Sequence, residues 1–185
     1  MSDQAEHVLW MEAAIAQARA GISAGQSPFG AVIVRQRLAA AAAAGHSIAD
    51  VPGEPPRARA SGELIAAAHN EVWAQCDPTV HAEVLAIRRA AAALGRIDLS
   101  GCVIYSTCEP CPMCAAAIHW ARLDAVVYGA AIADAERGGF RELRVSATEL
   151  YARGGSGVRV IAGVGARPCA ALFEEWRARG LGRPY

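Results

Sequence analysis

An α/β layered fold with a mostly parallel sheet is what this sequence predicts, and three observations predict it. Short apolar runs of strand type recur five times along the chain. Segments of helical spacing stand between most of them. The length, 185 residues with 54% hydrophobic, is enough for one domain with a full core and leaves no room for a second.

From Gln4 to Ala24, Val8, Met11, Ile15 and Ala18 recur at helical spacing with Glu12, Gln17 and Arg19 between them, and Gly21 and Gly25 end an amphipathic helix. Ser27-Pro28 then leads into Phe29 to Val34, a β-branched apolar run that reads as a buried strand. Residues 36–61 interrupt the pattern with an alanine run, Ala39 to Ala44, followed by Pro52, Pro55 and Pro56, and read as an inserted loop. A second strand is expected over Glu63 to Ala68, a loop over Asn70 to Thr79 with Asp77-Pro78 as its stop, and a helix over Val80 to Leu94 closed by Gly95. Then follow a strand at Cys102 to Ser106, a helix at Pro112 to Leu123, strands at Ala125 to Tyr128 and Val158 to Ala162, and a helix at Ala170 to Arg179. No internal repeat is visible.

Composition narrows the function classes. The net charge is +0, so no basic excess asks for a polyanionic partner. No apolar run approaches the roughly 18 residues of a membrane span, and the acidic start, with Asp3 and Glu6, has no signal-peptide core. A soluble, cytoplasmic protein is expected. Of six cysteines, four crowd into Cys102 to Cys114, too dense for a disulfide framework and more in keeping with metal binding in a reducing compartment.

Two segments carry the chemistry: His81-Ala82-Glu83, and Cys108-Glu109-Pro110-Cys111-Pro112-Met113-Cys114. Zinc prefers nitrogen and thiolate in a tetrahedron, and three protein ligands leave the fourth position open, the pattern of a catalytic site. His81, Cys111 and Cys114 fit that count, one Zn2+ per chain. Cys111 and Cys114 sit at a helix start, where the dipole and free N–H groups favour thiolate, and Pro110 and Pro112 fix the turn that presents them. Residues two apart do not share a helical face, yet in a first turn both His81 and Glu83 lean toward the helix N-terminus and reach a metal lying off it. Zinc brings the pKa of water to about 7, and Glu83 is placed to take its proton and pass it to a ring nitrogen and a leaving amine. Cys108 would close the site as a fourth ligand; its place at a strand end favours a core role. Cys76, Cys102 and Cys169 read as small hydrophobes, and His7, His46 and His119 as surface or core histidines.

The H-x-E and P-C-x-x-C pairing resembles the zinc nucleobase deaminases. With Pro28-Phe29-Gly30-Ala31-Val32-Ile33-Val34, Asn70 and Asp77-Pro78-Thr79-Val80 added, the run from Phe29 to about Arg144 resembles the cytidine/deoxycytidylate deaminase superfamily, and within it the bacterial guanine deaminases and tRNA adenosine deaminases. The resemblance implies a three-layer α/β/α sandwich around a mixed, mostly parallel five-stranded sheet, a homodimer, and Asn70 as the residue that bonds the substrate base. Phe29, Trp120 and Asp134, the last with Gly139-Phe140, are similar to purine-contacting positions of the guanine deaminase group, so a free guanine-like base is the expected small-molecule substrate. The tail from Val158 to Arg179 is also similar to the tRNA adenosine deaminases, which would add a nucleic-acid partner. Deamination of cytosine or another heterocycle is a further reading. A non-catalytic zinc module would have no need for Glu83 or Asn70.

Overall fold

The computed structural model describes residues 3–36, 62–180 and 183–185. The chain forms α1 (Asp3–Ser23), β1 (Gly30–Gln36), β2 (Gly62–His69), α2 (Val72–Gln75), α3 (Ala82–Leu94) and β3 (Cys102–Cys108). There follow α4 (Pro112–Trp120), β4 (Ala125–Ala130), α5 (Ile132–Gly138), α6 (Ala147–Gly154), β5 (Arg159–Ile161) and α7 (Ala166–Ala178). Apart from Gln36, which ends β1, the expected insertion at 36–61 lies outside the described residues.

The five strands form one mixed sheet in the order β2-β1-β3-β4-β5. β1 pairs antiparallel with β2 and β3, while β3, β4 and β5 run parallel. The parallel pairs need crossovers. Helix α4 supplies the one from β3 to β4, and α5 and α6 lie in the one from β4 to β5.

Alternation along the strands sorts side chains to two faces. Val32, Val34, Val103, Tyr105 and Val127 face α1 and α7, meeting Met11, Ile15, Leu172 and Phe173. Ala31, Ile33, Ile104 and Val126 face the other way, onto Leu85, Ala86 and Ile118 of α3 and α4. This is the expected three-layer sandwich. Close approach between layers is secured by Gly30, where a Cβ would overlap the Ala14 carbonyl and Ala18 amide of α1.

Of three further short helices, α2 and α6 were not anticipated, while α5 falls where Asp134 also reads as a helix cap for Ala135 to Leu143. α2 is a single turn inside the expected loop, and α5 starts from Ala131, which offers no polar cap. α6 does carry a legible start: Ser146 Oγ accepts from Glu149 N at 3.0 Å, with the Ser-x-x-Glu spacing of a capped helix. The remaining differences are boundaries. α4 stops at Trp120, three residues early, because the chain turns through a left-handed Arg122, and α7 starts at Ala166 from a left-handed Gly165. Val8, placed on the buried face of the first helix, is exposed there. Among the described residues no helix is long and apolar enough to cross a membrane.

Candidate metal centre

Topology brings the chemistry to one end of the sheet. β3 runs toward that end and finishes at Cys108; β1 enters from it, so Ala31 lies opposite Ser106, and β2 returns to it, so His69 lies opposite Gly30. Phe29, Asn70, Ser106 and Cys108 therefore share an edge, and the N-termini of α3 and α4 point at it. Crevices at the carboxyl ends of parallel strands are the usual ligand sites of open α/β sheets.

His81 is the N-cap residue of α3, with extended backbone (φ −68°, ψ 157°) and no capping bond from its ring. Cys111 plays the same part for α4 (φ −62°, ψ 166°), with Pro112 at the first helical position. The His81 ring lies with Nδ1 3.7 Å from Cys111 Sγ and 3.5 Å from Cys114 Sγ, and the three ligand atoms all fall within 4.8 Å of one another. Bonds of about 2.0–2.1 Å to nitrogen and about 2.3 Å to sulfur, at tetrahedral angles, put nitrogen and sulfur ~3.5 Å apart. The triad has that spacing and could hold a metal ion. His81 stands just outside the helix while Glu83 lies in its first turn, which is how residues two apart converge.

Charge in this cluster is unevenly held. The Cys114 thiol donates to Cys111 and, with the His81 ring, brings the Cys111 thiol down to about 4, although burial opposes it. Cys114 moves the other way, raised well above its ordinary value by the same hydrogen bond and by burial. Burial lowers His81, but its bond to Cys111 and the nearby negative charges outweigh that, and the net shift is upward. A divalent cation held by His81, Cys111 and Cys114 would supply the positive charge that lets both sulfurs ionise.

Glu83 is 6% exposed, accepts from Ser106 Oγ at 3.2 Å, and is raised above the ordinary carboxyl range chiefly by burial. Together with Phe29, His81 and Cys111 it lines one pocket. Phe29 presents its ring edge-on to Phe140 and Phe173, at 4.9 and 5.6 Å between centroids. Asn70 is fully buried: its Oδ1 accepts from Val72 N at 3.1 Å and its Nδ2 donates to the Tyr185 hydroxyl at 2.5 Å.

The same pocket is walled by Cys108, Glu109, Glu142 and Tyr185. Cys108 is no member of the metal cluster; its thiol, pushed up by burial, donates to Ala131 O at 3.7 Å. Glu142, raised by burial, and Tyr185, whose ring meets His81 edge-on at 5.7 Å, went unrecognised in the sequence. Glu142 lies in the irregular stretch after Gly139 (φ 100°), which ends α5, and no motif in the sequence marks it. Tyr185 meets Asn70 across 115 residues of chain, and no local pattern announces it.

Two of the expected substrate-binding residues stand apart from this pocket. Asp134 does not line this pocket: it is the third residue of α5, where its Oδ2 accepts from Ala131 N at 2.8 Å and its Oδ1 pairs with Arg137. Trp120 does not line it either; it ends α4, is 76% exposed and stacks edge-on with His119 at 5.3 Å. Of the other side residues, Cys102 and Cys169 are buried as expected, whereas Cys76 is exposed; His46 lies outside the described residues. Replacing Asp134 by Ala is accordingly expected to cost about 1 kcal/mol of stability, the scale of a lost helix cap, and to leave kcat/KM within about twofold of wild type. Denaturant unfolding alongside turnover checks this, and a large fall in turnover at intact stability would return Asp134 to the site.

Known proteins bear on this geometry. Residues 58–130 match the family model for the cytidine and deoxycytidylate deaminase zinc-binding region. The guanine deaminase of Bacillus subtilis is 40% identical over 135 residues, covering 72% of this chain and 70% of that protein. A tRNA-specific adenosine deaminase of Aquifex aeolicus is 33% identical over 121 residues, 65% of this chain and 64% of its own. Among solved structures, the guanine deaminase of Nitrosomonas europaea superposes with a TM-score of 0.72 at 28% identity, covering 92% of this chain and 84% of that one. With the zinc-ready His-Cys-Cys triad and the buried glutamate beside it, this similarity places the chain in the cytidine and deoxycytidylate deaminase family, as a hydrolytic deaminase of carbon–nitrogen bonds.

Proposed function

We propose that the chain removes the exocyclic amino group of a free nucleobase, with guanine or a related aminopurine as substrate, one zinc per chain held by His81, Cys111 and Cys114, and Glu83 as the proton carrier. The observation that carries this reading is the buried Glu83 carboxylate lining the same pocket as the His81 and Cys111 ligand groups. Zinc in that triad supplies a Lewis acid that makes water a nucleophile near neutral pH. Glu83 takes the proton of the attacking water as its oxygen adds to C2 of guanine, and delivers protons to N3 and then to the departing amine. The C2–N bond breaks, ammonia leaves, and the ring keeps a carbonyl at C2.

Substrate choice rests on the groups around the pocket. Guanine presents N–H donors at N1 and at its amino group, and Glu142 is a carboxylate acceptor in the pocket wall, the partner such an edge requires. Asn70 offers one amide donor; the base takes it by exchanging with the Tyr185 hydroxyl, which holds that donor at 2.5 Å. Phe29 supplies an apolar ring wall. The high identity to a guanine deaminase favours the same substrate.

Ammonia release measured across guanine, adenine, cytosine, their nucleosides and a tRNA anticodon stem-loop tests the assignment. Guanine should show the highest kcat/KM, by at least tenfold over adenine. Adenosine deamination in the stem-loop with guanine untouched would replace this substrate by a tRNA wobble base and leave the hydrolytic chemistry in place.

A further inference from the structure

We propose that Glu109 is a positioning residue for the Cys111 and Cys114 ligand groups, tying the turn between β3 and α4 to helix α6. The inference rests on the zinc reading above and concerns how the site is held rather than what it does.

The turn Cys108 to Pro112 has few backbone means of staying in place, since Pro110 and Pro112 carry no N–H. Its main chain is tied at Cys108 by the ladder to β4, at Glu109 N, which donates to Ala130 O at 2.8 Å, and at Cys111 O, which accepts from Ala115 N at 2.9 Å inside the ligand helix itself. The Glu109 side chain provides the rest. Its Oε1 accepts from Ala147 N, the first residue of α6, at 3.1 Å.

A carboxylate on a free N–H at a helix start is favoured by the dipole as well as by the bond. Ser146 Oγ already serves Glu149 N, so Glu109 takes a different orphan donor of the same turn. Helix α6 in turn grips α4: the Tyr151 hydroxyl donates to Ala115 O at 3.0 Å, one residue beyond Cys114. α6 therefore spans the ligand turn at one end and the ligand helix at the other, like a splint. Without the Glu109 carboxylate, the end nearer Cys111 is released.

Glu109 also lines the pocket, so its rival role is contact with the substrate. The experiment separates the two by timing zinc release from the holoenzyme into excess chromophoric chelator, with kcat and KM measured in parallel. Glu109→Ala should release zinc about tenfold faster or more, the range in which partners that orient metal ligands act. Glu109→Gln, whose amide oxygen still accepts from Ala147 N, should recover most of the wild-type rate. Ser146→Ala loosens the start of α6 without touching the turn, and should lower the thermal midpoint while zinc leaves at the wild-type rate. If Glu109→Ala does not fold, Glu109→Asp, which keeps the charge but falls short of Ala147, should show the acceleration. Wild-type release from the folded Glu109 variants, with only KM altered, overturns the proposal in favour of substrate contact. Equal acceleration in Ser146→Ala overturns it in favour of general loosening of α6. A wild-type protein that carries no zinc overturns the metal reading and this inference together.

Discussion

Glu83→Gln is expected to lower kcat by about 10²–10⁴-fold, the usual contribution of a general acid–base group, while zinc content and fold stay as in wild type. Glutamine has the shape of glutamate and keeps an oxygen for the Ser106 hydroxyl, which sits 3.2 Å from Glu83 Oε1. What it loses is basicity: an amide cannot take a proton from water. Stability should not fall, because the wild-type group is a carboxylate 6% exposed, and a neutral amide is cheaper to bury than a charge. Burial raises the Glu83 carboxyl above its ordinary range, which moves it toward the working pH of a general base. The measurement is steady-state kinetics with metal analysis and thermal unfolding on the same preparation. A kcat within tenfold of wild type, at full zinc content, would assign the proton transfer elsewhere, with Glu142 the nearest alternative in the pocket wall.

The parts of this site that the sequence disclosed are those fixed by local chemistry. His81, Glu83, Cys111 and Cys114 stand at fixed offsets from helix starts, and helix starts have their own markers, so motif and geometry could be inferred together. The strands were legible because both sheet faces are covered, which makes β1, β3 and β4 continuous apolar runs rather than alternating ones. Tertiary closure was not legible. Glu142 lies in an irregular stretch behind Gly139, and its approach to the pocket depends on where that left-handed residue sends the chain. Tyr185 owes its place to Asn70, Trp73, His81 and Phe140, all far from it in sequence. Asp134 differs: its carboxylate is engaged locally at the start of α5, by Ala131 N and by Arg137, apart from the pocket that Glu83 lines.

Cys114→Ala and Cys111→Ala are each expected to lose both zinc and turnover, whereas Cys108→Ala should keep zinc. With one sulfur gone the site has two protein ligands, one short of the three that catalytic zinc requires. The three thiols are close in sequence but differ in surroundings. Cys111 and Cys114 lie 3.7 and 3.5 Å from His81 Nδ1, while Cys108 spends its proton on Ala131 O. Because Cys114 is fully buried, its alanine variant also removes core volume, and a fall in stability alone would not distinguish a ligand from a packing residue. Zinc-dependent stabilisation does. A ligand that binds only the folded state adds RT ln(1 + [L]/Kd), about 4 kcal/mol at a thousandfold excess over Kd, so wild type and Cys108→Ala should gain thermal stability when zinc is returned after chelation. The Cys111 and Cys114 variants should gain none. Zinc-dependent stabilisation persisting in either of them would move the metal away from the His81 triad, and its loss in Cys108→Ala would make Cys108 a fourth ligand, closing the coordination position that hydrolysis needs.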